Sequence, residues 1–114
     1  MLDPAKLART VGRVIGDLVR GDYAAVEGFT GAERLTADQI AQAISDYGRR
    51  LVLPPEASGP RSVVEIEGSN PEQWSAYVDL WTAEEGRSDL TLELTLTESS
   101  RDLYEVQIDN IHVL

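Results

Sequence analysis

No cysteine occurs among the 114 residues, which removes disulfides, thiolate nucleophiles and cysteine-ligated zinc together. There is one histidine, His112, and the carboxylates show no compact loop spacing of the calcium-hand kind. No glycine-rich phosphate loop and no nucleophile elbow is present. No apolar run approaches the roughly 20 residues that a membrane helix needs. The opening Met1-Leu2-Asp3-Pro4-Ala5-Lys6 lacks the basic head, apolar stretch and cleavage site of a secretory signal, so a soluble cytoplasmic protein is expected. Basic side chains are also scarce, 10 against 20 acidic ones, for a formal net charge of −10.

The deficit is uneven. Residues 1–60 carry 8 acidic and 7 basic side chains, whereas residues 61–114 carry 12 acidic and 3 basic, a net of −9. Such a surface repels phosphate backbones, which disfavours nucleic acid, and it attracts cations or a basic protein. The plainer reading is that the acidity aids solubility.

What is present is enough for one domain over residues 1–114, with a helical part in 1–50 and an antiparallel sheet in 61–114. A hydrophobic fraction of 42% lies in the globular range. Asp3-Pro4 reads as a helix start, a side-chain acceptor followed by proline where its missing N–H costs nothing. Leu7, Val11, Val14, Ile15, Leu18 and Val19 then recur at helical spacing, with Arg13 and Asp17 one turn apart. Gly21 ends this helix and Asp22 caps a short second one over Tyr23–Glu27. Gly28 to Leu35 reads as a loop. Thr36-Ala37-Asp38-Gln39 is a capping box that opens a third helix with Ile40, Ala43, Ile44 and Tyr47 on its apolar side, stopped by Gly48. Leu51 and Leu53 continue into the core as an extended piece, and Glu56 to Pro60 is a connector.

From Ser62 onward the pattern is strand. Val64 and Ile66 alternate with Glu65 and Glu67, and the chain turns over Gly68–Gln73. The stretch Trp74 to Thr97 then alternates apolar and polar residues on both sides of a polar, glycine-containing turn, which predicts a long hairpin. A last strand runs from Leu103 to Val113. The expectation is an α+β fold, three amino-terminal helices packed on a four-stranded antiparallel meander.

Alternation assigns the faces. Ala76, Val78 and Leu80 point to the core with Leu90, Leu92, Leu94 and Leu96. Matching like-facing residues places Leu80 opposite Leu90 and Trp81 opposite Asp89, with Ala83 to Arg87 as the loop. In the last strand Tyr104, Val106 and Ile108 face inward, but Ile111 and Val113 have the opposite parity. A bulge at Asp109-Asn110 restores it and lands His112 beside Asp89. The outcome is a lateral row Trp81–Asp89–His112 on the face away from the leucines. Tyr77, Asp79, Thr91, Glu93, Gln107 and Asp109 lie below the row, and Glu84, Glu85 and Arg87 sit in the adjoining turn.

Several chemistries compete for that row. A metal would need His112 with Asp79, Asp89 or Asp109, and general acid–base work would need His112 with Asp89, on a face poorly built to exclude water. No cofactor is expected, and the balance on that face leans away from catalysis. Trp81 and Tyr77 among charges resemble an interface hot spot for a protein partner or a second copy. The competing reading is that the two rings only pack across the strands.

The order helix, short helix opening Gly21-Asp22-Tyr23, third helix and curved sheet resembles the cystatin-like cone fold of the nuclear transport factor 2 superfamily. That superfamily usually places a strand before its third helix, where Gly28 to Leu35 reads here as a loop. Leu80-Trp81-Thr82-Ala83-Glu84-Glu85-Gly86-Arg87-Ser88-Asp89-Leu90, with the ending Ile111-His112-Val113-Leu114, is similar to a small bacterial family of uncharacterised domains. That family has no activity to carry over, but its motif singles out Trp81, Glu84, Glu85, Arg87, Asp89 and His112. The cone fold implies a ligand pocket between sheet and helices. The helix-facing side here offers leucine, valine and isoleucine with no ionisable group, which argues against catalysis in that pocket and leaves an apolar small-molecule ligand open. A non-enzymatic protein-binding or homodimerising domain is the leading expectation, a bacterial immunity-type role being one case of it. The alternative is a small-molecule binder or an atypical enzyme with its pocket between sheet and helices.

Overall fold

The computed structural model describes residues 1–55 and 59–113. Three helices come first: α1 (Pro4–Val19), α2 (Tyr23–Thr30) and α3 (Ala37–Tyr47). Five strands follow, β1 (Leu51–Val52), β2 (Ser62–Ile66), β3 (Gln73–Thr82), β4 (Gly86–Thr97) and β5 (Glu105–Val113). All pair antiparallel, in the order β1-β3-β4-β5 with β2 also on β3. The expected α+β arrangement is present, and β2 to β5 form the meander.

The helix ends follow the expected local chemistry. The Asp3 carboxylate accepts from the Ala5 N–H at 2.9 Å, and both halves of the Thr36–Gln39 capping box form. Gly48 closes α3 in the left-handed conformation, φ +74°, which a side chain would strain. The second helix runs three residues further than expected, because Gly28, Phe29 and Thr30 continue it. The Thr30 hydroxyl donates back to the Val26 carbonyl at 2.9 Å, and Gly31 then breaks the helix. No strand forms between α2 and α3, as the sequence indicates.

One hydrophobic core joins Val11, Val14, Ile15 and Leu18 of α1, Val26 of α2, and Ile40 and Ile44 of α3 to the helix-facing side of the sheet. That side consists of Trp74, Ala76, Val78, Leu80, Leu90, Leu92, Leu94, Leu96, Val106, Ile108 and Ile111. Each leucine fully removed from water here contributes roughly 1.5–3 kcal/mol before entropy is charged.

Two expectations need correction. Leu53 does not enter the core; it is 65% exposed, and only Leu51 is buried. Leu51 and Val52 instead form a fifth strand on the carboxyl end of β3, where the Ala83 N–H donates to the Arg50 carbonyl at 2.9 Å. In β2 it is Val63 that packs on the core. Val64 and Ile66 lie opposite Ser75 and Gln73 on the outer face, where they are 60% and 37% exposed. The connector residues Glu56 to Ser58, and Leu114 of the carboxyl-terminal motif, lie outside the described residues.

Two irregularities bend the long strands. The bulge in β5 forms at Asp109, where Glu93 pairs with Asn110 and Leu94 with Ile108. It keeps both Ile108 and Ile111 inward, as parity requires. The second lies at the tip of the β3–β4 hairpin. Asp79 pairs with Thr91, yet Trp81 pairs with Arg87 and Thr82 with Gly86. From one pair to the next β3 advances two residues and β4 four, so facing is preserved while pairing is not. Ser88 holds this bulge: its hydroxyl donates to the Leu80 carbonyl at 2.7 Å and accepts the Leu90 N–H at 3.2 Å.

Candidate functional site

Two registers break up the expected lateral row, the hairpin bulge at Trp81 and the β4–β5 pairing at His112. Trp81 faces Arg87 rather than Asp89, and the loop shrinks to Ala83, Glu84 and Glu85. His112 lies opposite Thr91, and its Nε2 meets the Glu93 carboxylate rather than Asp89. The chain spends two residues on a bulge that leaves Ser88 pointing inward and tied to Leu80, and this draws Arg87 up to Trp81.

The turn motif divides into two sets of side chains. Glu84 and Glu85 tie the hairpin tip to the helical layer. Glu84 accepts the Arg50 N–H at 3.0 Å, and that bond, with its own N–H and the nearby Arg49 and Arg50 charges, holds its carboxyl below the usual range. Glu85 accepts the Tyr47 hydroxyl at 2.8 Å and the Thr82 hydroxyl at 3.1 Å. Burial, followed by that bond to Glu85, raises the Tyr47 phenol. Gly86 turns the chain at φ +75°, and a Cβ placed on it would lie 3.8 Å from the six-membered ring of Trp81. The indole therefore packs over the turn glycine, half-buried.

Arg87 belongs to the other set. It is exposed, and its guanidinium neither donates a hydrogen bond to nor forms an ion pair with Glu84, Glu85, Asp89 or any other of the described residues. Its neighbours across the face are Trp81, Asp79 and Arg61. Arg61, just ahead of β2, bonds Asp79 through Nε at 2.9 Å and the Thr91 hydroxyl through Nη2 at 3.4 Å. Asp89 is exposed and borders the same hollow on its other side.

The remaining candidates gather lower on the face. Tyr77 pairs across the strands with Glu93. The Glu93 charge is the main cause that lifts the Tyr77 phenol above its ordinary value. His112 closes this group from β5. Asp109, on its bulge, accepts the Thr95 hydroxyl at 2.6 Å and stands 3.6 Å from the Arg34 guanidinium, which reaches over from the loop before α3. Nine predicted residues thus fall into a tip tie (Glu84, Glu85), an arginine-lined hollow (Trp81, Asp79, Arg87, Asp89) and an acidic patch (Tyr77, Asp109, His112).

Sequence reasoning missed Arg61 and Arg34 and left Glu93 out of the site. Glu93 has the right parity and was readable. Arg61 required the β2–β3 register, which a polar turn over residues 67–72 does not specify. Among the described residues no group of three or more histidine or acidic side chains is placed to hold a metal ion. No helix of the described residues is long and apolar enough to cross a membrane. Behind the sheet, Val14, Val26, Ile40, Leu92, Leu94 and Leu96 fill the space next to the helices, and none of the sheet's inward residues is an acid or a base.

The chain belongs to a family described as a domain of unknown function (DUF7668), whose model matches residues 15–114. No curated protein matches it, and no solved structure does.

Proposed function

We propose that this is a non-enzymatic protein-interaction domain of the cytoplasm that engages a basic partner through the outer face of its sheet. The observation that carries the reading is the composition of that face. Val64 and Ile66 on β2 stand exposed opposite Ser75 and Gln73, with the half-buried Tyr77 and, farther along β3, Trp81 on the same face. Glu93, Asp109 and Glu105 lie on it from β4 and β5. Apolar and aromatic anchors flanked by one sign of charge are what a specific interface uses. With a net charge of −10, a basic partner is favoured over a second copy, because two such domains repel. An immunity-type role, in which a basic toxin is neutralised, is one case of this reading. The helices packed on a single sheet face support the cystatin-like cone as its scaffold, and the absence of acids and bases from the inward sheet positions supports a binding role over catalysis.

Light scattering on the wild type and on Trp81→Ala and Val64→Asp tests it, together with crosslinking in cells and binding of the purified partner so found. The expected result is a monomer whose partner is lost in both variants while their circular dichroism stays native. Folded variants that keep every partner and oligomeric contact overturn the reading. A dimer that dissociates in both variants would assign the face to self-association.

A second reading has its own observation. An apolar groove of about 490 Å³ runs along α1, between Leu7, Val11 and Ile15 on one side and Leu53, Pro54 and Pro60 on the other. Its size suits a small apolar ligand. Gly12 borders it, and a Cβ there would meet nothing within 4 Å. Titration with the neutral dye Nile red checks this: saturable binding that Gly12→Leu abolishes supports it, and binding indifferent to that substitution removes it.

A further inference from the structure

Residues 61–114 contain only three basic side chains, Arg61, Arg87 and Arg101. Two of them, 26 positions apart in sequence, line one hollow on the outer face. The hollow has two adjoining lobes of about 330 and 360 Å³ that share Arg61, Asp79 and Arg87. Trp81 and Gly59 back the first lobe, and Ser88, Asp89 and Thr91 the second.

The two guanidinium groups are held differently. Asp79 and Thr91 fix Arg61 in place, and Arg61 in turn neutralises Asp79. Arg87 spends none of its five donors on the described residues, and it is held beside the indole by cross-strand pairing. The first lobe therefore has two cations, one carboxylate already matched, and an aromatic wall.

The geometry points to this hollow as a binding site for a planar monocarboxylate. The fork of Arg87, which no described residue occupies, takes the carboxylate together with the remaining donors of Arg61, because guanidinium geometry matches its two oxygens. The indole of Trp81 takes the flat body of the ligand. Asp79, Asp89 and the overall charge of −10 select a monoanion and work against a phosphate dianion. A free aromatic acid and the carboxyl end of a peptide present the same chemistry. The site does not depend on the protein-partner reading, since a small acid suffices to fill it.

Indole N–H cross-peaks in a ¹H–¹⁵N NMR titration test this directly, with Trp81→Phe assigning the two signals. The probes are benzoate, benzamide, inorganic phosphate, and a short peptide ending in phenylalanine with a free or an amidated terminus. Benzoate or the free-ended peptide is expected to shift the Trp81 signal saturably in the millimolar range, with benzamide, the amidated peptide and phosphate inactive. Saturation by the peptide alone identifies a chain terminus as the ligand, and saturation by benzoate alone a free acid. Arg87→Gln should weaken binding about tenfold, the worth of one charge-assisted pair, and Arg87→Lys should retain part of it. Equal shifts from benzoate and benzamide, no saturable shift with either carboxylate, or full binding by Arg87→Gln overturns the proposal.

Discussion

Trp74 and Trp81 lie on one strand, seven residues apart, and the odd spacing puts them on opposite faces. Their surroundings differ as much as their directions. Trp74 is 4% exposed and meets the Tyr104 ring at a centroid distance of 5.2 Å. Tyr104 in turn accepts the Asp3 N–H at 2.8 Å and lies under the Lys6 ammonium, 4.5 Å away. Lys6 is buried and bonds Glu98 and the Ser99 carbonyl, both at 2.7 Å. The buried Thr10 hydroxyl accepts the Tyr104 N–H at 3.0 Å. At this end of the sheet the buried polar groups named here find partners, and the amino end of α1 is pinned to the connection between β4 and β5. At the other end, Trp81 covers a turn glycine and stands beside an arginine with no described partner. The first end is built to hold the fold. Among the described residues the second leaves donors and an aromatic surface unspent, which is where binding energy can be drawn from without one of those contacts being broken.

The largest effect should therefore separate the two tryptophans. Trp74→Ala removes a buried ring and leaves a cavity next to Tyr104, at a cost of about 3–5 kcal/mol. Trp81→Ala should cost about 1 kcal/mol, as for a half-buried side chain with no buried hydrogen bond to lose. Urea denaturation of both variants measures this, and comparable losses would end the distinction between a structural and an available tryptophan.

That distinction was half legible in the sequence. Period-2 alternation gave Trp74 and Trp81 opposite parity, put the leucines inward, and demanded the bulge at Asp109, which the structure has. Helix caps were readable because Asp3, Thr36 and Gly48 act on backbone groups within a few positions of themselves. The hairpin tip was not readable. Its register depends on Ser88 turning inward to bond the Leu80 carbonyl, a choice made by a serine that alternation treats as neutral. Because the two extra residues on β4 preserve parity, the faces of the hairpin side chains were right while the neighbours of Trp81 were wrong. His112 was misplaced separately, by the β4–β5 register that sets it opposite Thr91. Arg61 was beyond reach for a related reason, since the short β2 exposes two of its three apolar residues and gives the register little hydrophobic preference.

A smaller effect tests how firmly the first end is pinned. Glu98 has its carboxyl lowered below the ordinary 4.5, first by the Lys6 hydrogen bond and then by the Ser99 N–H. A carboxylate lowered by folding adds stability that is fully present above its unfolded value and is lost as pH falls through the folded one. Wild type should thus exceed Glu98→Gln in stability at pH 7, and the gap should close as pH falls through and below about 4.5. Urea midpoints at pH 7 and pH 3.5 check this. A gap that persists unchanged at the lower pH would show that the Lys6 contact acts through packing rather than charge.

The smallest expected effect bears most directly on the second end. If Arg87 is unspent, Arg87→Gln should alter stability by no more than about 0.5 kcal/mol, the usual range for a surface position without partners. The hairpin tip should hold, because Glu84, Glu85 and Ser88 tie it through the Arg50 N–H, the Tyr47 hydroxyl and the Leu80 carbonyl, none of which involves Arg87. Glu85→Ala supplies the contrast: it removes the acceptor for both Tyr47 and Thr82 and should cost about 1 kcal/mol or more. Paired urea titrations decide between the roles. A loss for Arg87→Gln that matches the loss for Glu85→Ala would make the arginine a clamp of its own turn and would leave the hollow without a free cation. A negligible loss, beside a clear one for Glu85→Ala, keeps the guanidinium available for a ligand.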